Sequence, residues 1–212
     1  MTARDAVFMR ILEGRDQPTR LQRDQEYVEL PREYQRHGSV KSDQLTELFE
    51  GRLLEYGAKV HRTKLAQLSV TIGQHLSAQG VFKIGIPAGT PLNWLPNDIV
   101  CVDAGLLPID DLDHLDGILT GCTIAIAKTG SIVLQNEVAQ GPRRLSLVPD
   151  RHLCVVFASQ IVETVPEAFA QLEATSCGVF TFISGPSATS DIEMTRVLGV
   201  HGPRCLEIFL VV

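Results

Sequence analysis

The second half of the chain constrains the fold most. Residues 122–127, 131–134, 152–157, 179–183 and 205–212 are short apolar runs separated by Gly, Pro and Ser. Runs of that length, apolar on both faces, read as strands buried from both sides. The first half alternates helix-period stripes with further short strands. Val7, Phe8, Ile11 and Leu12 share one face of a helix over residues 3–12. Leu45, Leu48, Phe49 and Leu53 form a second stripe, with Ser42 as N-cap and Gly57 as stop. Thr63 caps a third, with Leu65, Leu68, Ile72 and Leu76 inward and Gly80 at its end. Residues 58–62, 81–86 and 98–103 read as strands, 110–119 as a short acidic helix and 165–172 as another helix. The runs at 122–127 and 131–134, joined by Lys128-Thr129-Gly130, form a hairpin. Helices and strands in this alternation predict a mostly parallel sheet covered by helices.

Residues 13–41 differ in composition. Arg15, Asp16, Arg20, Arg23, Asp24, Glu26, Arg32, Glu33 and Arg36 alternate in sign, with Pro18 and Pro31 between them. This reads as an exposed, extended arm. The chain thus divides into an N-terminal helix with a charged arm, 1–41, and an α/β domain, 42–212.

Hydrophobic residues make up 44% of the chain and charged ones 21%, which excludes a disordered polymer. The formal net charge of −6 argues against nucleic acid and anionic membrane as partners. No apolar run approaches the roughly 18 residues of a membrane span, and a cytoplasmic location is expected. The five cysteines are at least 21 residues apart, with no CxxC pair, so neither a disulfide framework nor a cluster motif is expected. Cys101, Cys122 and Cys154 read as packing residues.

The chemistry concentrates in small hydroxyl-bearing turns. Thr129-Gly130-Ser131 follows one strand, and Ser184-Gly185-Pro186-Ser187 runs on from another through Ala188-Thr189 towards Ser190, Asp191 and Glu193. At the carboxyl end of a strand, opening a helix, such a turn offers free N–H groups and a positive dipole to a carboxylate or phosphate. Ser190 and Glu193 also fit a capping box, which closes a helix without a ligand. Arg144 is the candidate guanidinium for a carboxylate. His201, between glycines, is the candidate acid–base group, ahead of His152, which opens a buried strand. His37, His61, His75 and His114 receive no role. The acidic run 110–116 matches no calcium loop and reads as a solvated helix face, so no metal is expected.

Taken in order, these segments resemble the LUD-domain family. Residues 120–134, TGCTIAIAKTGSIVL, are similar to its T-G-x-x-x-A-I-A-E-T-G-[ST]-[IL]-V-L signature. Residues 144–152 resemble its R-x-x-S-L-x-P-x-x-H segment with altered spacing, 184–193 its S-G-P-S-R-T-A-D-I-E segment, and 200–203 its closing V-H-G-P. The resemblance covers about residues 40–212, and the length and short N-terminal helix point to the lactate-utilisation protein C branch. It implies a Rossmann-like three-layer α/β/α sandwich of the NagB/RpiA/CoA-transferase type. It further implies a role in oxidising L-lactate to pyruvate beside iron–sulfur partner proteins, with no cofactor in this chain. The implied ligand site comprises Thr129, Gly130, Ser131, Arg144, Ser184, Gly185, Pro186, Ser187, Thr189, Asp191 and Glu193, with His201 beside it.

Two positions depart from the pattern. Lys128 replaces a glutamate and Ala188 an arginine. Lys128 is accordingly expected to meet the substrate carboxylate. Two other readings stay open at this point: a stand-alone enzyme of the same fold acting on a sugar phosphate or acyl-CoA, and a non-catalytic assembly subunit that docks its partners through residues 13–41.

Overall fold

The computed structural model describes residues 2–13, 20–31, 33–174, 178–189, 197–199 and 201–212. It divides into two units, Met1–Gln35 and Arg36–Val212. The first unit carries helices α1 (Ala3–Glu13) and α2 (Arg20–Glu29). No residue of α1 is buried, and the side chains from Leu21 to Glu29 are exposed. The segment expected to be extended therefore holds a helix. Leu21, Gln22, Arg23, Gln25 and Glu26 are good helix formers, and their propensity prevails over the alternating charge.

The second unit is built on a six-stranded sheet in the order β1-β12-β7-β4-β2-β3, with every neighbouring pair parallel. Its strands are β1 (Lys59–Thr63), β2 (Lys83–Ile86), β3 (Val100–Asp103), β4 (Ile118–Gly121), β7 (Arg151–Phe157) and β12 (Cys205–Val211). A second sheet has the order β8-β5-β6-β9, from β5 (Ile124–Ile126), β6 (Ser131–Gln135), β8 (Ile161–Val162) and β9 (Phe180–Ile183). Two-residue strands β10 (Ala188–Thr189) and β11 (Val197–Leu198) pair antiparallel. The helices are α3 (Ser42–Glu55), α4 (Leu68–Ala78), α5 (Ile109–Asp113) and α6 (Val165–Leu172).

The two-residue period of the strands sorts the core into layers. Leu153 and Val155 of β7, with Phe209 and Val211 of β12, pack with Leu68, Ile72 and Leu76 of α4. The alternate residues Cys154, Val156, Leu206, Ile208 and Leu210 pack with Phe49 and Leu53 of α3 and with Ala125, Ile132 and Leu134 of the small sheet. The other side of that sheet, Ile124, Ile126 and Val133, is closed by Ala168 and Leu172 of α6. Each fully buried Leu, Ile or Phe contributes roughly 1.5–3 kcal/mol. The architecture is Rossmann-like α/β/α, with the small sheet and α6 added on one face.

Several local expectations change. Lys41 rather than Ser42 is the N-cap of α3, and Gln67 rather than Thr63 that of α4. Thr63 ends β1, its hydroxyl bonded to Thr71 Oγ1 at 3.0 Å, and Leu65 lies exposed in a 3-10 turn. The acidic helix stops at Asp113, and Ile118–Gly121 is a wholly buried strand between β7 and β2. Cys122 and Cys154 are buried as expected, whereas Cys101 is half-buried. The Ser184–Ser187 turn leads into strand β10 rather than a helix. Ser190, Asp191, Glu193 and Cys177 lie outside the described residues.

Candidate functional site

A cleft of about 270 Å³ opens where β7 and β12 begin. This is the amino edge of the parallel sheet, opposite to the carboxyl edge that the turn arguments favour. The reason is long-range pairing. Parallel register sets His152 beside Leu206, both second in their strands, and both line the cleft. The turn after β9 and the loop before β12 form its rim.

His152 is 1% exposed. Its Nε2 is 2.8 Å from the Thr120 hydroxyl, while its Nδ1 is buried and has no hydrogen-bond partner among the described residues. Burial, aided by the nearby Arg143 charge, pushes its pKa down to about 4, so the ring is neutral at neutral pH. Arg143 lines the same cleft, and its Nη1 donates to Ser146 Oγ at 3.1 Å.

The rim is cross-tied by Ser187. Its N–H donates to Pro203 O and its carbonyl accepts from Gly199 N, both at 2.8 Å. Its Oγ accepts from His201 N at 3.3 Å, which holds the exposed His201 side chain at the mouth. Ser184, Gly185 and Pro186 line the same rim. At Gly185, φ is +81° and a Cβ would stand 2.8 Å from Tyr56 Cβ, so only glycine fits there.

The remaining expected residues stand elsewhere. Thr129, Gly130 and Ser131 do not line the cleft but brace it from behind. Thr129 Oγ1, Ser131 Oγ and Ser184 Oγ form a hydroxyl chain with contacts of 2.8 and 2.6 Å. Gly130, at φ +57°, lies against α3, where a Cβ would come within 2.9 Å of the Arg52 carbonyl carbon. Arg144 turns away, its Nη2 donating to Gly105 O; the guanidinium in the cleft is Arg143. Lys128 pairs with the buried Glu163 at 2.9 Å and does not line the cleft. Thr189 pairs by its backbone with Val197 across β10 and β11.

The opposite face of the same edge holds a group that sequence reasoning passed over. Glu207 is fully buried, with Oε2 facing Nε2 of both His61, at 3.3 Å, and His75. Its Oε1 accepts from Arg151 and, at 3.2 Å, from Cys205 Sγ. Burial alone raises a carboxyl pKa, but the His61 and Cys205 hydrogen bonds and the His75 and Arg151 charges outweigh it and hold Glu207 well below the usual range. The sequence signal was a lone acid in the apolar run CLEIFLV. Among the described residues, no three cysteines come together as cluster ligands.

Fold and cleft define a Rossmann-like α/β protein with a small polar pocket at the amino edge of its sheet. The LUD domain profile matches residues 109–211. A lactate utilization protein C of Deinococcus radiodurans is 44% identical over 169 residues, 77% of each chain. Another protein of that name, from Halalkalibacterium halodurans, is 27% identical over 177 residues, 76% of each chain. The crystal structure of a DUF162-family protein from Deinococcus radiodurans superposes with a TM-score of 0.67 at 32% identity, covering 82% of this chain and all of that one. The chain belongs to the LUD-domain family.

Proposed function

We propose that this chain is the ligand-holding subunit of an L-lactate utilisation system, which oxidises L-lactate to pyruvate together with iron–sulfur partner proteins. The observation that carries the pocket's role is the His152 imidazole, buried and neutral, with Nδ1 unsatisfied among the described residues in a cleft that also holds a guanidinium. A buried polar atom without a partner costs about 1–3 kcal/mol, which a bound ligand recovers. The names of the relatives support lactate as the substrate.

In this reading Arg143 takes the carboxylate, and the Ser184 and Ser187 hydroxyls orient it. Oxidation of lactate releases two electrons and two protons. His152 within the cleft, or His201 at its mouth, accepts the hydroxyl proton. The C2–H bond breaks as the carbonyl forms, and its electron pair and the second proton would pass to an oxidant supplied by the partner proteins, whose iron–sulfur clusters would carry the electrons onward. The cleft volume suits a small acid.

Thermal shift and calorimetry with L-lactate, D-lactate, pyruvate, inorganic phosphate, a sugar phosphate and acetyl-CoA test the reading. L-lactate and pyruvate are expected to bind, and Arg143→Ala and His152→Gln to abolish binding. At a hundred times its dissociation constant, a ligand adds about 2.7 kcal/mol of stability. Binding of phosphate or CoA esters alone, or lactate binding untouched by both substitutions, would overturn it.

A further inference from the structure

We propose that His61, His75 and Glu207 hold a divalent transition-metal ion of the zinc class on the α4 face of the central sheet. Their three ligand atoms lie within 4.8 Å of one another. They come from three elements: His61 from β1, Glu207 from the adjacent β12, and His75 from the last turn of α4. Two imidazoles and a carboxylate are a donor set for zinc and its neighbours rather than for magnesium or calcium.

The geometry fits. Ligand atoms about 2.0–2.1 Å from a tetrahedral zinc stand about 3.3–3.4 Å apart. His61 Nε2 and Glu207 Oε2 are 3.3 Å apart. His75 Nε2 is nearer that oxygen, and a small swing of its ring makes room for the ion.

The surrounding hydrogen bonds prepare the donors. Arg151 and Cys205 both donate to Glu207 Oε1, fixing the carboxylate and leaving Oε2 to the histidines. Arg151 also holds the amide oxygen of Gln79, which turns the Gln79 amide nitrogen towards His75 Nε2. The Gln79 N–H thus occupies the single lone pair of His75 Nε2, and an ion bound at that nitrogen would displace it. The His61 ring is set by stacking on Phe209, with centroids 5.0 Å apart. Both histidine side chains keep a quarter or less of their surface exposed, 24% and 21%, which leaves an entry path. Three protein ligands leave the fourth position to water.

The test uses the full chain without a histidine tag, stripped by a chelator. Co²⁺ is titrated while its visible d–d absorption is recorded, and Zn²⁺ affinity is measured against a chromophoric chelator. One equivalent is expected to bind. His61→Ala and His75→Ala are each expected to weaken it at least about 100-fold, while the exposed His114→Ala leaves it unchanged. No saturable uptake by the wild type, or uptake that survives His61→Ala with His75→Ala, overturns the site. Anomalous diffraction at the zinc edge from wild-type crystals grown with Zn²⁺ decides independently of whether the variants fold. A peak among the three side chains supports the site, and its absence there overturns it.

Discussion

The two faces of one sheet edge carry opposite chemistry. Both are built where β7 and β12 begin, on residues one apart in sequence. His152 and Leu206 face the cleft, whereas Arg151 and Glu207 face α4. On the cleft face a neutral imidazole, a guanidinium and serine hydroxyls gather around an opening, and none of the groups there is a carboxylate among the described lining residues. On the α4 face a buried carboxylate is enclosed by histidines and an arginine. The alternation of strand side chains is enough to separate an anion-accepting surface from a cation-accepting one across a single layer of backbone.

The largest effect is expected at Glu207. Its replacement by alanine strands Arg151, only 19% exposed, without its acid. Removing one member of a buried ion pair costs about 3–5 kcal/mol. Urea denaturation is expected to show that loss, and a loss below about 1 kcal/mol would mean that the face is not organised by charge.

His152 is expected to have the next largest effect, and only in acid. Its folded pKa of about 4 lies below the ordinary 6.5. As pH falls through 6.5 the unfolded chain takes a proton that the folded one refuses, so stability drops until about pH 4, where the folded ring is protonated too. The size is about 3 kcal/mol. Denaturation of wild type and His152→Gln at pH 7.5 and pH 4 measures it. The wild type is expected to lose about 3 kcal/mol more than the variant, and equal losses would deny that the ring is buried neutral.

Ser131→Ala sharpens the contrast between lining a cleft and bracing it. Loss of its hydroxyl link to Ser184 is expected to cost about 1 kcal/mol in thermal denaturation. Ligand affinity should weaken less than with Arg143→Ala, and an equal loss would place Ser131 at the ligand itself. The smallest effect on ligand binding belongs to Lys128→Glu. Because Lys128 is engaged by Glu163 outside the cleft, calorimetric affinity for a small carboxylate is expected to stay unchanged, contrary to what the sequence pattern suggested.

Elements with local signals were legible. Helix α6 runs from Val165 to Leu172 as read, because Thr164 and Glu167 form a capping box and Pro166 sits in its first turn. Strands β7 and β12 stood out as apolar runs. Strand β4 did not, because Ile118–Gly121 is too short and too neutral to announce a strand, and only its place between β7 and β2 makes it one. At the site, the sequence indicated the chemistry of the rim, serines and glycines with a histidine near, but not its address at the amino edge. Arg143 and Arg144 are neighbours on one 3-10 turn, and the phase of that turn alone sends the first to the cleft and the second to Gly105. The His61–His75–Glu207 group joins residues up to 146 apart, a separation that no local pattern spans.

Strand β12 lies between β1 and β7, although residues 205–211 are translated long after both. Without them, β1 and β7 lack the strand that pairs with both in the folded domain, and those backbone edges have no partner from β12. Such edges recruit other chains. Synthesis that stalls before Cys205 should therefore yield an insoluble fragment dependent on chaperones, and the domain can close only once this late strand slides into the middle.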